Sequence, residues 1–203
     1  MSGPLFIEKK GSHANDYRSG IRSAIRGLWS GAIDRAQFLD VMGGVIERGL
    51  GFAFAEGAKD CGIEPGDYTE AETKTLQDAI VSEFEHTAGL ADAVEAGNKK
   101  AGGKLDTLNQ RAEAWIIRYQ DVSNRARVTA CADQKYEWVY GPTEHCGTCS
   151  RLNGKVKRGS FWRDHVLPQN PPNDKLSCGG WRCQCQLKQT GARVSPGGLG
   201  SLP

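Results

Sequence analysis

Apolar residues recur at helical spacing along the first two thirds of the chain and then switch to alternation. From Asp16 onward, Tyr17, Ile21, Ile25 and Leu28 follow at steps of four and three, which sets them on one face of a helix. Arg18, Arg22 and Arg26 form a basic stripe beside them, read either as a solvated helix edge or as a contact surface for nucleic acid or an acidic partner. Ser30-Gly31 ends this helix, and Asp34 followed three residues later by Gln37 is the signature of a capping box that opens the next. The apolar stripe of that second helix is Phe38, Met42, Val45, Ile46, Leu50 and Phe54. Gly43, Gly44, Gly49, Gly51 and Gly57 fall in the same segment, each costing roughly 1 kcal/mol against alanine in a helix interior. Close approach by a neighbouring helix would offset that cost, and a break into two shorter helices is the other explanation.

Glu64-Pro65-Gly66-Asp67 reads as a turn. Thr69 with Glu72 makes a second capping box, opening a helix whose stripe is Leu76, Ile80 and Phe84, with His86 a surface histidine near its end. Residues 97–103, rich in Gly, Asn and Lys, read as a flexible link. Leu105, Leu108, Ala112, Trp115, Ile116, Tyr119, Val122 and Ala126 then give the clearest helical stripe in the chain. At Tyr136 the period changes: Tyr136, Trp138 and Tyr140 alternate with Glu137 and Val139, as in a strand. Asn153-Gly154 between Leu152 and Val156 predicts a two-residue type I′ hairpin. Phe161 to Val166 fits one short helix, and Pro168 to Asp174 an extended loop. Trp181, Cys183, Cys185 and Leu187 alternate with polar residues as a last strand.

The expected fold is therefore α+β. An arm over 1–14 precedes a helical body over 15–130, a small cysteine-rich β module over 131–190, zinc-ribbon-like or disulfide-stapled, and a flexible tail over 191–203.

Charge sharpens this division. The 203 residues carry a net charge of only +2, but residues 1–128 hold 16 basic against 19 acidic residues and residues 129–203 hold 10 against 5. Six of the seven cysteines also lie in the last third, Cys61 alone lying outside it. No stretch approaches the ~20 apolar residues of a membrane span, so no membrane association is expected. The first ten residues lack the apolar core of a signal peptide, and folding in a cytoplasm is expected.

In a reducing compartment, clustered cysteines point to metal before disulfides, and an odd total fits poorly with complete pairing. Cys146-x2-Cys149 is the tight-turn spacing that lets two thiolates hold one ion. Cys178, Cys183 and Cys185 return about 30 residues later, and period-two geometry turns Cys183 and Cys185 to the same side. A tetrahedral zinc needs four ligands and five cysteines are on offer, so one is surplus or Cys178 replaces a strand cysteine. Two disulfides, or buried thiols that merely pack a small core, are the alternatives. No catalytic role is expected: the CxxC lacks the strand-then-helix context of a redox site, and neither His145 nor His165 has an orienting partner in view.

Read together, Tyr136-Glu-Trp-Val-Tyr-Gly, Cys146-Gly-Thr-Cys149-Ser-Arg-Leu-Asn-Gly-Lys-Val156, a proline-rich loop and Cys178-Gly-Gly-Trp-Arg-Cys-Gln-Cys-Gln-Leu187 resemble the Mu F-like minor head protein family of tailed bacteriophages. Cys146, Cys149, Leu152, Gly154, Pro171, Pro172, Cys183, Cys185 and Leu187 match its pattern, over roughly residues 134–188. Cys178 departs from shorter members, which have proline and histidine before the CxC. The resemblance implies a structural head-morphogenesis protein of the virion, made in the host cytoplasm. Its place would be at the portal vertex or capsid interior, bound to portal or coat protein, with an oligomeric state imposed by the particle, and it would assist assembly, DNA packaging or DNA delivery. The alternative is a zinc-dependent nucleic-acid-binding protein, suggested by the basic last third and by Lys155, Lys157, Arg158, Trp162 and Arg163, which interleave basic and aromatic character.

Overall fold

The computed structural model describes residues 12–142, 144–181 and 183–199, so the expected N-terminal arm lies, up to residue 11, outside the described residues. Four long helices come first: α1 (Ser12–Ser30), α2 (Arg35–Lys59), α3 (Glu70–Ala96) and α4 (Leu105–Ala130). A smaller α+β unit follows, with β1 (Lys135–Val139), α5 (Gly147–Leu152), β2 (Val156–Arg158), α6 (Gly159–His165) and β3 (Gln186–Gln189). Its sheet has the order β2-β1-β3 with both pairings antiparallel, and Trp138 sits opposite Leu187.

The helix starts follow from their caps. The Asp34 carboxylate accepts from the Gln37 amide at 2.8 Å and the Gln37 side chain accepts from the Asp34 amide at 2.9 Å. Thr69 and Glu72 repeat the arrangement on α3. α2 runs unbroken through its glycines, and two of them explain why. A β-carbon at Gly49 would collide with the Tyr17 ring of α1, and one at Gly57 with the Ser123 carbonyl of α4. Gly51 meets nothing, so close approach accounts for part of the glycine content only.

On α3 the expected stripe drifts. Leu76 and Ile80 are half-buried, but Phe84 is 40% exposed and the inward positions continue as Glu83, Thr87, Leu90, Ala91 and Val94. The helix turns Glu83 inward because a cation waits there: Arg118 of α4 donates to Glu83 at 2.6 Å and to Asp121, whose carboxylate also accepts from Arg125 at 3.1 Å. Burial pushes the Glu83 carboxyl above its ordinary pKa even though Arg118 opposes the shift, and burial does the same to Asp121 against both arginines.

Two hydrophobic clusters result. The first joins α1 to α4 around Ile21, Phe38, Met42, Ile46, Leu50 and Phe54. The second joins Tyr136, Trp138, Leu152, Trp162, Leu187 and the buried cysteines. α4 serves both, since Val122 and Ala126 lie in the first cluster and Val128 in the second. Cys61, just beyond α2, is disulfide-bonded to Cys131 at the end of α4, with the α-carbons 5.7 Å apart.

One local expectation, the two-residue hairpin, is corrected. Leu152 ends a short helix rather than a strand, and Asn153 (φ −55°, ψ 132°) with Gly154 (φ +76°) makes a type II turn, closed by Lys155 N–H donating to Leu152 C=O at 2.9 Å. The link over 97–103 is fastened to α1: Lys99 N–H donates to the Trp29 carbonyl at 3.0 Å and the Trp29 indole donates to Gly103 C=O at 3.2 Å. Residues 200–203 of the expected tail lie outside the described residues; before them, Ser195 N–H donates to Val156 C=O at 2.9 Å and the buried Lys157 ammonium donates to the Ser195 carbonyl at 2.7 Å.

Candidate metal centre

Cys146 and Cys149 are brought together by a helix start. Cys146 is the extended residue before α5 (φ −75°, ψ 164°) and Cys149 lies one turn on, where Ser150 N–H donates to the Cys146 carbonyl at 3.0 Å. Cys178 arrives from the far side of the proline-rich loop. Thr148 and Ser177 join their hydroxyls at 2.7 Å, and Ser177 N–H donates to Thr148 Oγ1 at 3.2 Å, which holds this segment against α5. After Cys178 the chain must reverse quickly, and Gly179 (φ +63°) and Gly180 (φ +81°) do so in a left-handed conformation that other residues rarely adopt. A β-carbon at Gly180 would also collide with the Gln169 carbonyl.

Cys183 and Cys185 then follow with Gln184 outward between them, so the expected inward pair is present. The strand itself begins only at Gln186, and Trp181, expected to face inward with Leu187, is 48% exposed instead. Register with β1 fixes the pair: Gln186 sits opposite Val139.

The proline-rich loop is the second support. Gln169 (φ +63°) and Asn170 (φ +46°) both occupy the left-handed region, a cost that surrounding contacts must overcome. Asn124 of α4 donates to Gln169 Oε1 at 3.1 Å, and the Gln169 amide donates to the Cys185 carbonyl at 3.3 Å. Arg125 bonds the Asn170 side chain, and Asn173 donates to the carbonyls of Leu167 and Gln169. A chain of polar contacts thus runs from α4 to the backbone of a cysteine.

The structure gathers all five predicted cysteines. The sulfurs of Cys146, Cys149 and Cys178 lie within 4.8 Å of one another, as do those of Cys149, Cys183 and Cys185. Cys149 Sγ is 3.8 Å from Cys183 Sγ. With metal–sulfur bonds of about 2.3 Å, a tetrahedral thiolate site has sulfur–sulfur edges of about 3.8 Å. The cysteines can therefore hold a metal ion, and an all-sulfur donor set suits a soft or borderline cation rather than calcium or magnesium.

His145 stands beside the group, its Nδ1 3.9 Å from Cys185 Sγ and its ring stacked on Tyr140 with centroids 3.7 Å apart. Cys183 and Cys149 are deeply buried, while Cys146 and Cys178 are half-buried on a cleft of about 1240 Å³ between the module and α4, where Arg18, Glu113, Ile117 and Trp181 also stand.

Proton affinities within the cluster diverge. Contacts with Cys183 and Cys185, then burial, push the Cys149 thiol far above the ordinary thiol range. The neighbouring Cys149 and Cys183 thiols pull Cys185 down to about 2. Sulfurs crowded this closely cannot all be thiolates without a cation to offset the charge, which is the electrostatic demand a metal satisfies.

Of the basic and aromatic side chains that suggested nucleic-acid contact, Trp162 and Lys157 are taken up inside the module. Trp162 is fully buried, where its indole donates to the Tyr136 carbonyl at 2.9 Å, and Lys157 is consumed by the tail. Arg158 pairs with Asp133 and Arg163 with Asp164.

Sequence reasoning found the five cysteines but missed the Cys61–Cys131 pair, whose halves are 70 residues apart, and missed Asn124 and Gln169. Nothing in spacing marks those residues, whereas the Gly179-Gly180 doublet was a readable sign of the reversal. Among the described residues no helix is long and apolar enough to cross a membrane. Comparison with family models, with curated proteins and with solved structures gives no match to this chain.

Proposed function

We propose that this chain is a structural minor head protein of a tailed bacteriophage, with no enzymatic role, in which zinc closes the C-terminal module and the helical body docks on portal or coat protein. The convergence of the motif cysteines carries the reading. Cys146, Cys183 and Cys185, together with Cys178, gather around the buried Cys149 although nearly 40 residues separate the first from the last. That is what a motif kept for folding energy requires, since binding energy at such sites is largely folding energy. The thiolate donor set favours zinc among abundant divalent ions.

The virion would be the site of action, at the portal vertex or the capsid interior, after assembly in the host cytoplasm. Contact with packaged DNA would be nonspecific, and the particle would set the oligomeric state. The test is co-expression with portal and coat proteins of a tailed bacteriophage from the same source. Saturable association with portal rings or heads that survives moderate salt is expected. Absence of that association, with salt-sensitive binding to DNA by the isolated chain, would overturn the proposal in favour of a zinc-dependent nucleic-acid-binding protein. The five-charge excess of residues 129–203 is what supports that alternative.

A further inference from the structure

We propose that the cysteine cluster holds two metal ions bridged by the thiolate of Cys149, a reading that rests on the zinc assignment above. The arrangement of the sulfurs carries it. A single tetrahedral ion needs four donors mutually about 3.8 Å apart and leaves a fifth thiol outside. Here the five sulfurs form two sets of three, Cys146–Cys149–Cys178 and Cys149–Cys183–Cys185, and no set of four His, Cys, Asp or Glu donors among the described residues lies within 4.8 Å of one another. Cys149 alone belongs to both sets.

A thiolate sulfur has enough lone pairs to bind two cations, so each set becomes the three-sulfur base of its own site. Cys149 is placed for this by α5, which buries it between the half-buried Cys146 and Cys178 on one side and the buried Cys183 and Cys185 on the other. Charge supports the same count. Four thiolates with one dication would leave two negative charges in excess in a mostly buried site, whereas five thiolates with two dications leave one. His145, 3.9 Å from Cys185, is a further donor next to the second set, and both sets border the cleft. On binding, each coordinating thiol releases its proton to solvent and no electron is transferred.

The experiment uses the full chain purified without chelator, with zinc counted by elemental analysis and native mass spectrometry. Two zinc ions per chain are expected. Replacement by cadmium should give two cadmium NMR signals that are scalar-coupled through the shared sulfur. Cys178→Ser should reduce the count to one and retain the signal of the Cys149–Cys183–Cys185 set. One ion per chain in the unmodified protein, with a single cadmium signal, overturns the bridged pair while leaving the zinc-closed module standing. No bound metal, with the thiols oxidised, overturns both.

Discussion

The sulfurs of Cys149 and Cys183, 34 residues apart in the chain, stand 3.8 Å from each other in the core of the C-terminal module. Cys149 belongs to both sets of cysteines, so its loss should cost more than that of any other thiol. Cys149→Ser, or exhaustive chelation, is expected to unfold residues 134–188 while most helical far-ultraviolet dichroism survives. Loss of the near-ultraviolet signal of Trp138 and Trp162, which pack with ring centroids 5.5 Å apart, is the measurement. A metal-free chain that keeps that signal contradicts the expectation.

The glycines of α2 divide into two kinds that substitution can tell apart. Gly57→Ala drives a methyl into the Ser123 carbonyl and should lower stability by about 1–3 kcal/mol, as overpacking does. Gly51→Ala meets open space and should raise stability by up to about 1 kcal/mol, through helix propensity alone. Urea midpoints of the two variants should move in opposite directions.

Joining Cys61 to Cys131 closes a loop of 70 residues that contains α3 and α4. The chain-entropy account assigns such a loop about 4 kcal/mol. Reduction, or the double variant Cys61→Ser/Cys131→Ser, should lower the melting temperature without releasing metal. Loss of metal along with the disulfide would show that the two cysteine systems are not independent.

Acidification supplies another test. Glu83 and Asp121 hold their protons more tightly folded than unfolded, because burial outweighs the arginines beside them. The folded chain therefore binds more protons between the ordinary values of 4.5 and 3.8 and the raised ones. Their stabilising contribution is complete below the ordinary values and is lost as pH rises through the raised ones. Arg118, Arg125 and the exposed His86 are the charges that face them. In urea titrations across this range, the unmodified chain should lose stability with rising pH relative to Asp121→Asn. Parallel curves would contradict this.

Asn124 lies in the helical body but acts on the cysteine module. Asn124→Ala leaves the buried Gln169 oxygen without its donor and should cost about 1–3 kcal/mol. Gln169 also donates to the Cys185 carbonyl, so faster metal loss to a competing chelator is expected as well. An unchanged release rate would confine Asn124 to a packing role.

Much of this architecture could be read from residue order, and the exceptions have physical causes. Capping boxes at Asp34 and Thr69 are local and were legible because the contacting residues are three apart. The inward strand face of Tyr136 and Trp138 was legible for the same reason. α3 was misread where a charged residue turns inward, because Glu83 is polar in sequence and becomes an interior residue only through Arg118, which lies on another helix. The cysteines were legible as a group through their spacing, but their division into two sets depends on the Gly179-Gly180 reversal and on Thr148 meeting Ser177. Pairing of Cys61 with Cys131 depends on where α2 and α4 end in space, which no short-range pattern encodes.

α4 has one row of side chains in the helical core and continues into the core of the module, with Val128 there and Arg127 donating both to Asp60 and to the Leu187 carbonyl. A single rod thus contributes side chains to both cores. Load applied to the helical body would therefore reach the module along α4, the element that the two cores share. A cut after residue 130 would leave the helical core whole and take Val128 out of the core of the module.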